Sequence, residues 1–484
     1  MTNGGFMARD KRNPYLLSFY GDDFTGTTST AEALTISDIP TIIFVKPPTA
    51  QFLRNHFPKV HAIGVAGISR SLPTENLVNI LKPTFQRMKT YGPPLFLYKV
   101  CSTFDSSSEI GNIGKAIEIG LKAFSSKFIP ILVAAPRFGR FTLFGNHFVA
   151  LGEEVFRLDR HPSMSVHPVT PMQESDLRRH LAKQTHLECG LIPILTLIKG
   201  REEVKKQVQD RLGKNVPVIL FDTFSNAQLN AACSVIWDYT EDGKTLFCVG
   251  SQEWGYGLAE EWRRLGILRF KVDAKPIGRS GTCGPILVVS GSCAAIAGRQ
   301  IEWAAAHHYL EIGIQTEKLF DDINRKREMD RVAQEAISAL KHGRSVVIHS
   351  AIGPSDPRIS RTKRLVEDLG IPSQNTVDIL GQALGELARK IVLASKVCRL
   401  ILSGGDTAGR VTKTLGIWAL QVGRSVGVPA PLCYVYSTYP EMNGLQVAYK
   451  GGQVGGDNYF DMVRRKEMPN FNQVAIGSIQ NNKG

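Results

Sequence analysis

The apolar run Tyr15-Leu16-Leu17-Ser18-Phe19-Tyr20 leads into Gly21-Asp22-Asp23-Phe24-Thr25-Gly26-Thr27-Thr28-Ser29, and a helix-like segment occupies 29–34. A short apolar strand, a loop of glycine, aspartate and hydroxyl residues, and then a helical pattern make up one βα unit. The rhythm continues outward from there. Strand candidates at 15–20, 41–45, 61–65, 95–100 and 128–134 alternate with helix-like segments at 29–34, 75–91 and 110–124. Alternation at this spacing predicts a mainly parallel sheet covered by helices.

Between residues 270 and 285 the periodicity lapses into Lys, Pro, Gly and Ser, including Lys275-Pro276-Ile277-Gly278. A domain boundary is expected there, dividing 1–275 from 276–466. The second half restarts with strand candidates at 286–289, 345–349 and 399–402, and helix-like segments at 295–307, 329–342 and 376–395. The expected fold class is therefore α/β, with two α/β domains, mainly parallel sheets and a polar tail at 467–484.

The chain has 484 residues, more than one hydrophobic core usually organises, and is 43% hydrophobic and 21% charged. That composition excludes intrinsic disorder, collagen-like repeats and charged fibres. The 58 Lys and Arg against 44 Asp and Glu leave a net charge of +14, which favours anionic partners. The densest basic clusters, Arg325-Lys326-Arg327, Arg361-Thr362-Lys363-Arg364 and Arg464-Arg465-Lys466, are too short for a nucleic-acid tail and read as solvated helix faces. The apolar stretch after Arg9-Asp10-Lys11-Arg12 is too short for a secretory signal, and the uncharged run 280–298 contains Pro285 and four glycines, so it reads as a strand and turn. Eight cysteines show no Cys-x-x-Cys pair or zinc spacing, so they are expected to be buried and reduced, as suits the cytoplasm, with no metal site.

In open α/β sheets, ligands sit beyond the carboxyl ends of the strands, so functional groups are expected in the loops after the strand candidates. Asp22 and Asp23 could accept hydrogen bonds from a polyol and align a nucleophilic hydroxyl, while the same pattern also serves as an Asp/Thr helix cap; spacing leaves both open. Lys99, followed by Ser102 and Thr103, suits an anionic oxygenated ligand, or begins a helix through a serine-rich turn. In Ala135-Pro136-Arg137-Phe138-Gly139-Arg140 either arginine could grip a carboxylate or remain a surface charge. The prolines around His161 and His167 make a structural role the expectation for both histidines.

The second half carries three glycine-rich turns: Ser290-Gly291-Ser292-Cys293, Ser403-Gly404-Gly405-Asp406-Thr407 and Lys450-Gly451-Gly452-Gln453-Val454-Gly455-Gly456. Backbone N–H groups in such turns cradle phosphate at helix N-termini, and Asp406 and Thr407 can approach a magnesium-bound phosphate through water. None is a Walker A loop or a Gly-x-Gly-x-x-Gly turn, and no Gly-x-Ser-x-Gly elbow occurs among them.

These motifs, together with Gly21-Asp22-Asp23-Phe24-Thr25-Gly26 and His167-Pro168-Val169-Thr170-Pro171, resemble those of the four-carbon acid sugar kinase family, in unchanged order from Leu16 to Phe460. The resemblance implies an N-terminal domain for a small sugar acid, a C-terminal domain for ATP with Mg2+, and a ligand cleft between them. Implied substrates are threonate, erythronate or 3-oxo-tetronate, phosphorylated at the terminal hydroxyl in carbohydrate catabolism. On that reading Asp22 and Asp23 are catalytic and bind substrate with Arg70, Lys99, Ser102, Thr103 and Arg137. Ser290, Ser292, Gly404, Gly405, Asp406, Thr407, Gly451, Gly452 and Gly455 bind the nucleotide. Where the family has Lys-x-Asp-Ser-Thr-x-Arg-Gly, Cys101 stands at the first acidic position and Asp105 at the arginine, so the grip on the substrate carboxylate passes to Arg70, Arg137 or Arg140. Ala294 and Ala408 replace serines common in the family. The expected partners are a sugar acid and ATP, without nucleic acid or membrane, and a homodimer is left open. Alternative readings are a kinase for a branched or oxidised sugar acid, and a basic binding protein that has lost catalysis.

Overall fold

The computed structural model describes residues 13–167, 169–268, 283–423, 431–452 and 454–465. They form two compact units, one on each side of residues 269–282. The boundary expected at 275–276 and the polar tail from 467 lie outside the described residues.

In the first unit the strands are β1 (Leu17–Gly21), β2 (Thr41–Phe44), β3 (Ala62–Ala66), β4 (Leu95–Lys99), β5 (Ile129–Leu132), β6 (Arg140–Leu143), β7 (Asn146–Leu151), β8 (Glu154–Arg157), β9 (Cys189–Ile192), β10 (Val218–Phe221) and β11 (Leu246–Gly250). The main sheet runs β2-β3-β1-β4-β11-β5-β10-β9 and its paired strands are parallel. β1 through β5 are buried along their whole lengths, as strands covered by helices on both faces must be. Helix Phe24–Ile36 starts five residues before the expected 29, because the Asp23 carboxylate accepts from Gly26 N–H and caps it there. Phe85, on helix Thr74–Lys89, is wholly buried among the rings of Tyr20, Phe96, Tyr98, Phe124 and Phe247.

β6, β7 and β8 form a separate antiparallel sheet that the pattern of alternation did not reveal. The β6–β7 turn places Phe144 at φ 52° and Gly145 at φ 82°, the two left-handed residues of a tight hairpin. Phenylalanine stands where asparagine usually signals such a turn. The buried Asp222 carboxylate compensates by accepting from the N–H groups of Phe144, Gly145 and Ile194.

The second unit contains β12 (Leu287–Ser290), β13 (Leu310–Gly313), β14 (Val346–His349), β15 (Arg399–Ser403), β16 (Ile417–Val422), β17 (Leu432–Ser437) and β18 (Gln446–Lys450). Their order is β13-β14-β12-β15-β18-β17-β16. The five strands from β13 to β18 are parallel, and β17 runs antiparallel to β18 and β16. Helix Asp322–Lys341 begins seven residues before the expected 329, because Asp321 caps it by accepting from Asn324 N–H. The described residues of the basic clusters lie on helices and are partly neutralised, Arg325 by Glu386, Arg361 by Glu317, and Arg464 and Arg465 by Asp461. No helix among the described residues is long and apolar enough to cross a membrane.

The expectation of reduced, buried cysteines is corrected at one pair, which is oxidised, and at Cys293, which is exposed. Cys283 and Cys398 are joined in a disulfide across 115 residues of sequence. They enter β12 and β15, which are neighbours in the sheet, so topology brings together thiols whose spacing looks unrelated. Cys293 is exposed, while Cys233, Cys248 and Cys433 are buried.

Truncating Phe85 to alanine is expected to destabilise the first unit by about 3–5 kcal/mol through lost burial and an unfilled cavity. Hydrogen exchange read by mass spectrometry should then show faster exchange in β1 and β4 peptides than in β12 and β15 peptides; unchanged protection in β1 and β4 would refute this account.

Candidate active site

Parallel pairing sets Gly21, the last residue of β1, opposite Lys99, the last residue of β4. The chain then turns so that Asp22 N–H donates to the Lys99 carbonyl and Arg70 N–H donates to the Asp22 carbonyl. Arg70 grips Asp22 in bidentate fashion, Nε to Oδ2 at 3.0 Å and Nη2 to Oδ1 at 2.8 Å, and also lies 3.1 Å from Asp23 Oδ1. Burial pushes the Asp22 carboxyl up against the opposing pull of Arg70. Burial also works against the charge of Arg70, yet Asp22 and Asp23 hold its guanidinium well above the ordinary value.

Lys99 is 2% exposed, and no described residue offers its ammonium a hydrogen bond or ion pair. Its Nζ passes over Gly26, where a Cβ would stand 1.9 Å from Nζ and 2.5 Å from Asp23 Oδ1. Glycine is required for this approach. The result is a buried ammonium beside two aspartates, with Asp23 the more exposed carboxylate at 23% against 5% for Asp22.

Ser102 and Thr103 are nearly buried in the loop after β4. The Thr103 hydroxyl donates to Asp105 Oδ1 and lies 2.9 Å from Cys101 Sγ. Although burial acts to raise it, the charge of Arg70 and the Thr103 hydroxyl hold Asp105 below the usual carboxylate range, with His167 contributing. The sequence reading missed His147, which supports this loop from β7. Its Nε2 donates to the Ser102 carbonyl, so its Nδ1 accepts from the Thr142 hydroxyl, and burial pushes it down to about 4, leaving it neutral. No local motif announces His147, since its partners lie 45 residues away and on an adjacent strand.

Arg137 is engaged elsewhere. Nη1 lies 2.6 Å from the buried Glu253 carboxylate, and the guanidinium stacks 3.9 Å from the centre of the Tyr256 ring. Arg140 donates to the Phe138 carbonyl. Of the three candidate arginines, Arg70 alone contacts the paired aspartates among the described residues.

In the second unit, parallel register aligns Ser290 with Ser403, and Ser403 with Lys450. The three glycine-rich turns leave these strand ends side by side: Gly291 N–H donates to the Ser403 carbonyl and Gly404 N–H to the Lys450 carbonyl. A Cβ on Gly291 would lie 2.1 Å from Thr407 Oγ1, and one on Gly452 would lie 2.4 Å from Ser292 Oγ. Helices Ala295–Ala306 and Gly405–Thr414 begin at the first two turns. The buried hydroxyls of Ser290 and Ser403 have no hydrogen-bond partner. The Asp406 side chain lies outside the described set.

Two side chains that the sequence reading did not use shape the third turn. Lys450 Nζ donates to the carbonyls of Gly451 and Gly452, while Gln300 Nε2 lies 3.0–3.1 Å from those of Val454, Gly455 and Gly456. In a trans peptide the carbonyl and the following N–H point opposite ways, so the N–H groups of Gly452, Gly455 and Gly456 face away from these anchors. None of the three donates to a described residue. N–H groups without a described acceptor, two helix starts and orphaned hydroxyls fit the phosphates of a nucleotide. Among the described residues no group of three or more His, Cys, Asp or Glu could hold a metal ion.

Replacing Arg70 with methionine would leave Asp22 buried without its partner and is expected to cost about 3–5 kcal/mol at neutral pH. Without Arg70 the folded-state carboxyl titrates higher still, so the loss of stability should grow as pH rises above the unfolded aspartate value and shrink towards acid pH. Denaturant midpoints for the two proteins between acid and neutral pH check this; a constant difference would refute it.

The Sugar-binding N-terminal domain matches residues 17–258 and the Nucleotide-binding C-terminal domain matches residues 287–460. The chain is 37% identical over 449 residues to a 3-oxo-isoapionate kinase of Paraburkholderia graminis, covering 93% of this chain and 94% of that protein. It is 28% identical to a 3-oxo-tetronate kinase of Cupriavidus necator, with 93% and 97% of the two chains covered. The crystal structure of Haemophilus influenzae protein HI1011 shares the fold with a TM-score of 0.66 at 23% identity, covering 92% of this chain and 98% of that one. With both halves matched and the paired aspartates and glycine-rich turns in place, the chain belongs to the four-carbon acid sugar kinase family.

Proposed function

We propose that this protein is an ATP-dependent kinase whose acceptor is an oxidised, branched sugar acid of the 3-oxo-isoapionate type, acting in cytoplasmic carbohydrate catabolism. Sugar-acid kinase activity is the function of its named relatives, and the relative at 37% identity acts on that acid, compared with 28% for the 3-oxo-tetronate kinase. The observation that carries the reading is the buried, unpartnered ammonium of Lys99 beside Asp22 and Asp23. The ammonium lies beside two carboxylates without a hydrogen bond to a described residue, and a substrate carboxylate is a group that its uncommitted N–H donors can take. Lys99 therefore takes over the grip that the sequence reading sought among Arg70, Arg137 and Arg140.

The geometry supports a division of labour. Asp22, with both oxygens held by Arg70, fixes the loop, whereas Asp23 keeps Oδ2 uncommitted among the described residues and serves as the general base for the acceptor hydroxyl. Ser102 and Thr103 supply neutral polar contacts to the sugar. In the second unit the N–H groups of the three turns receive the phosphates and stabilise the oxygens of the transferring group. A Mg2+ ion arriving with the nucleotide would be approached through water by Asp406 and Thr407 and would supply charge neutralisation there. The γ-phosphoryl group passes in line from ATP to the hydroxyl oxygen as ADP leaves, and the hydroxyl proton goes to Asp23.

ADP release and product mass should be followed with 3-oxo-isoapionate, 3-oxo-tetronate, threonate and erythronate; the branched acid is expected to be phosphorylated most efficiently. Asp23→Asn should lower turnover by ~10²–10⁴-fold. Lys99→Met should raise KM for the acid by about 10- to 100-fold, the size of a charge-assisted hydrogen bond. Failure of all four acids to yield a phosphorylated product would refute the substrate assignment, and wild-type turnover in Asp23→Asn would refute its role as base.

A further inference from the structure

Lys450 is wholly buried at the end of β18, yet the groups its ammonium contacts are neutral. Its own loop offers two carbonyls, β15 offers Ser403 alongside it in register, and helix Tyr459–Arg465 offers the Tyr459 ring, 5.7 Å from Nζ. Near the end of the same loop, Arg299 and Asp457 pair with each other at 3.0 Å. No carboxylate among the described side chains forms an ion pair with Lys450. Two carbonyls satisfy part of its hydrogen bonding and none of its charge, so the folded protein keeps a buried cation whose missing counter-ion is an anion.

We propose that Lys450 is the fixed cation of the nucleotide-phosphate site, holding the third turn in its anion-binding shape and neutralising phosphate charge through it. The proposal rests on the kinase reading above and adds a residue that the sequence pattern treated as the start of a flexible loop. Lys450 acts as a positioning and electrostatic group. Its hydrogen bonds to Gly451 and Gly452 need only the two donors that a neutral amine keeps, so the charge of the protonated amine is what it adds to the site.

A proton linkage follows. Burial pushes Lys450 down to about 8, so above that pH the free protein has largely lost the proton. An arriving phosphate favours the ammonium, so nucleotide binding takes up a proton, and affinity falls as pH rises through the free-state value. ADP itself does not titrate there, since the last phosphate ionisation lies near about 6. A lysine that served only to brace the loop would show no such linkage.

The test is calorimetric titration of the full-length protein with ADP between about pH 7 and about pH 9.5, in buffers of different ionisation heat. The expected result is net proton uptake above about pH 8, with affinity falling towards tenfold per pH unit at the alkaline end. Lys450→Arg should bind ADP without that pH dependence, because arginine stays protonated. Lys450→Met should bind about 10- to 100-fold more weakly and take up no proton. Wild-type binding that is equally tight across the range, without proton uptake, would overturn the proposal and leave the kinase reading standing. Absence of any ADP binding would overturn both. Should Lys450→Met fail to fold, the wild-type and arginine titrations decide the matter by themselves.

Discussion

Parallel hydrogen bonding, which brings neighbouring strands to an end at the same level, is the constraint on which both sites depend. In the first unit it sets Gly21 against Lys99, 78 positions later in the chain, so the Asp22–Asp23 turn and the lysine emerge at one edge. In the second it sets Ser290, Ser403 and Lys450 in one row. Polar loops follow each of these residues, and the helices that begin there present their N-termini to the same edge. A shift of one residue in either register would turn these side chains to the opposite face of the sheet.

The burial of charge gives the two sites their chemistry. Arg70 is neutralised by two carboxylates and organises a turn, a role that needs no ligand. Lys99 and Lys450 are the contrasting cases, since each is buried at the end of a strand with no described ion-pair partner. The dielectric environment that makes an unpaired ammonium unfavourable also strengthens its attraction for an anion that enters. One lysine faces a turn that carries two aspartates, suited to a hydroxylated carboxylate. The other braces a turn with free N–H groups, suited to phosphate.

Much of this was legible before the fold was known. The apolar runs that became β1 to β5, β12, β14 and β15 are long enough and bounded clearly enough to be read one by one, and the Asp22-Asp23 and glycine-rich turns follow them directly. The β6–β8 sheet was not legible, because Phe144 occupies a left-handed turn position that Asp222 supports from 78 residues away. Helix starts at Asp23 and Asp321 were placed late because apolar periodicity begins after the capping residue. Arg137 looked like an anion-binding group in isolation, and its commitment to Glu253 depends on the adjacency of β5 and β11.

The sequence by itself determined the α/β rhythm, the two-part organisation and the turns that carry the polar chemistry, because strand period, helix period and turn composition are local properties of the chain. Only the tertiary structure decided which charges are spent and which remain available. It paired Arg70 with Asp22 and Arg137 with Glu253, joined Cys283 to Cys398, placed His147 behind Ser102, left the Lys99 ammonium without a described hydrogen bond and left Lys450 without a described ion pair. Those outcomes rest on contacts between residues distant in sequence and on burial, which sets the strength of every charge in the site and has no local signature.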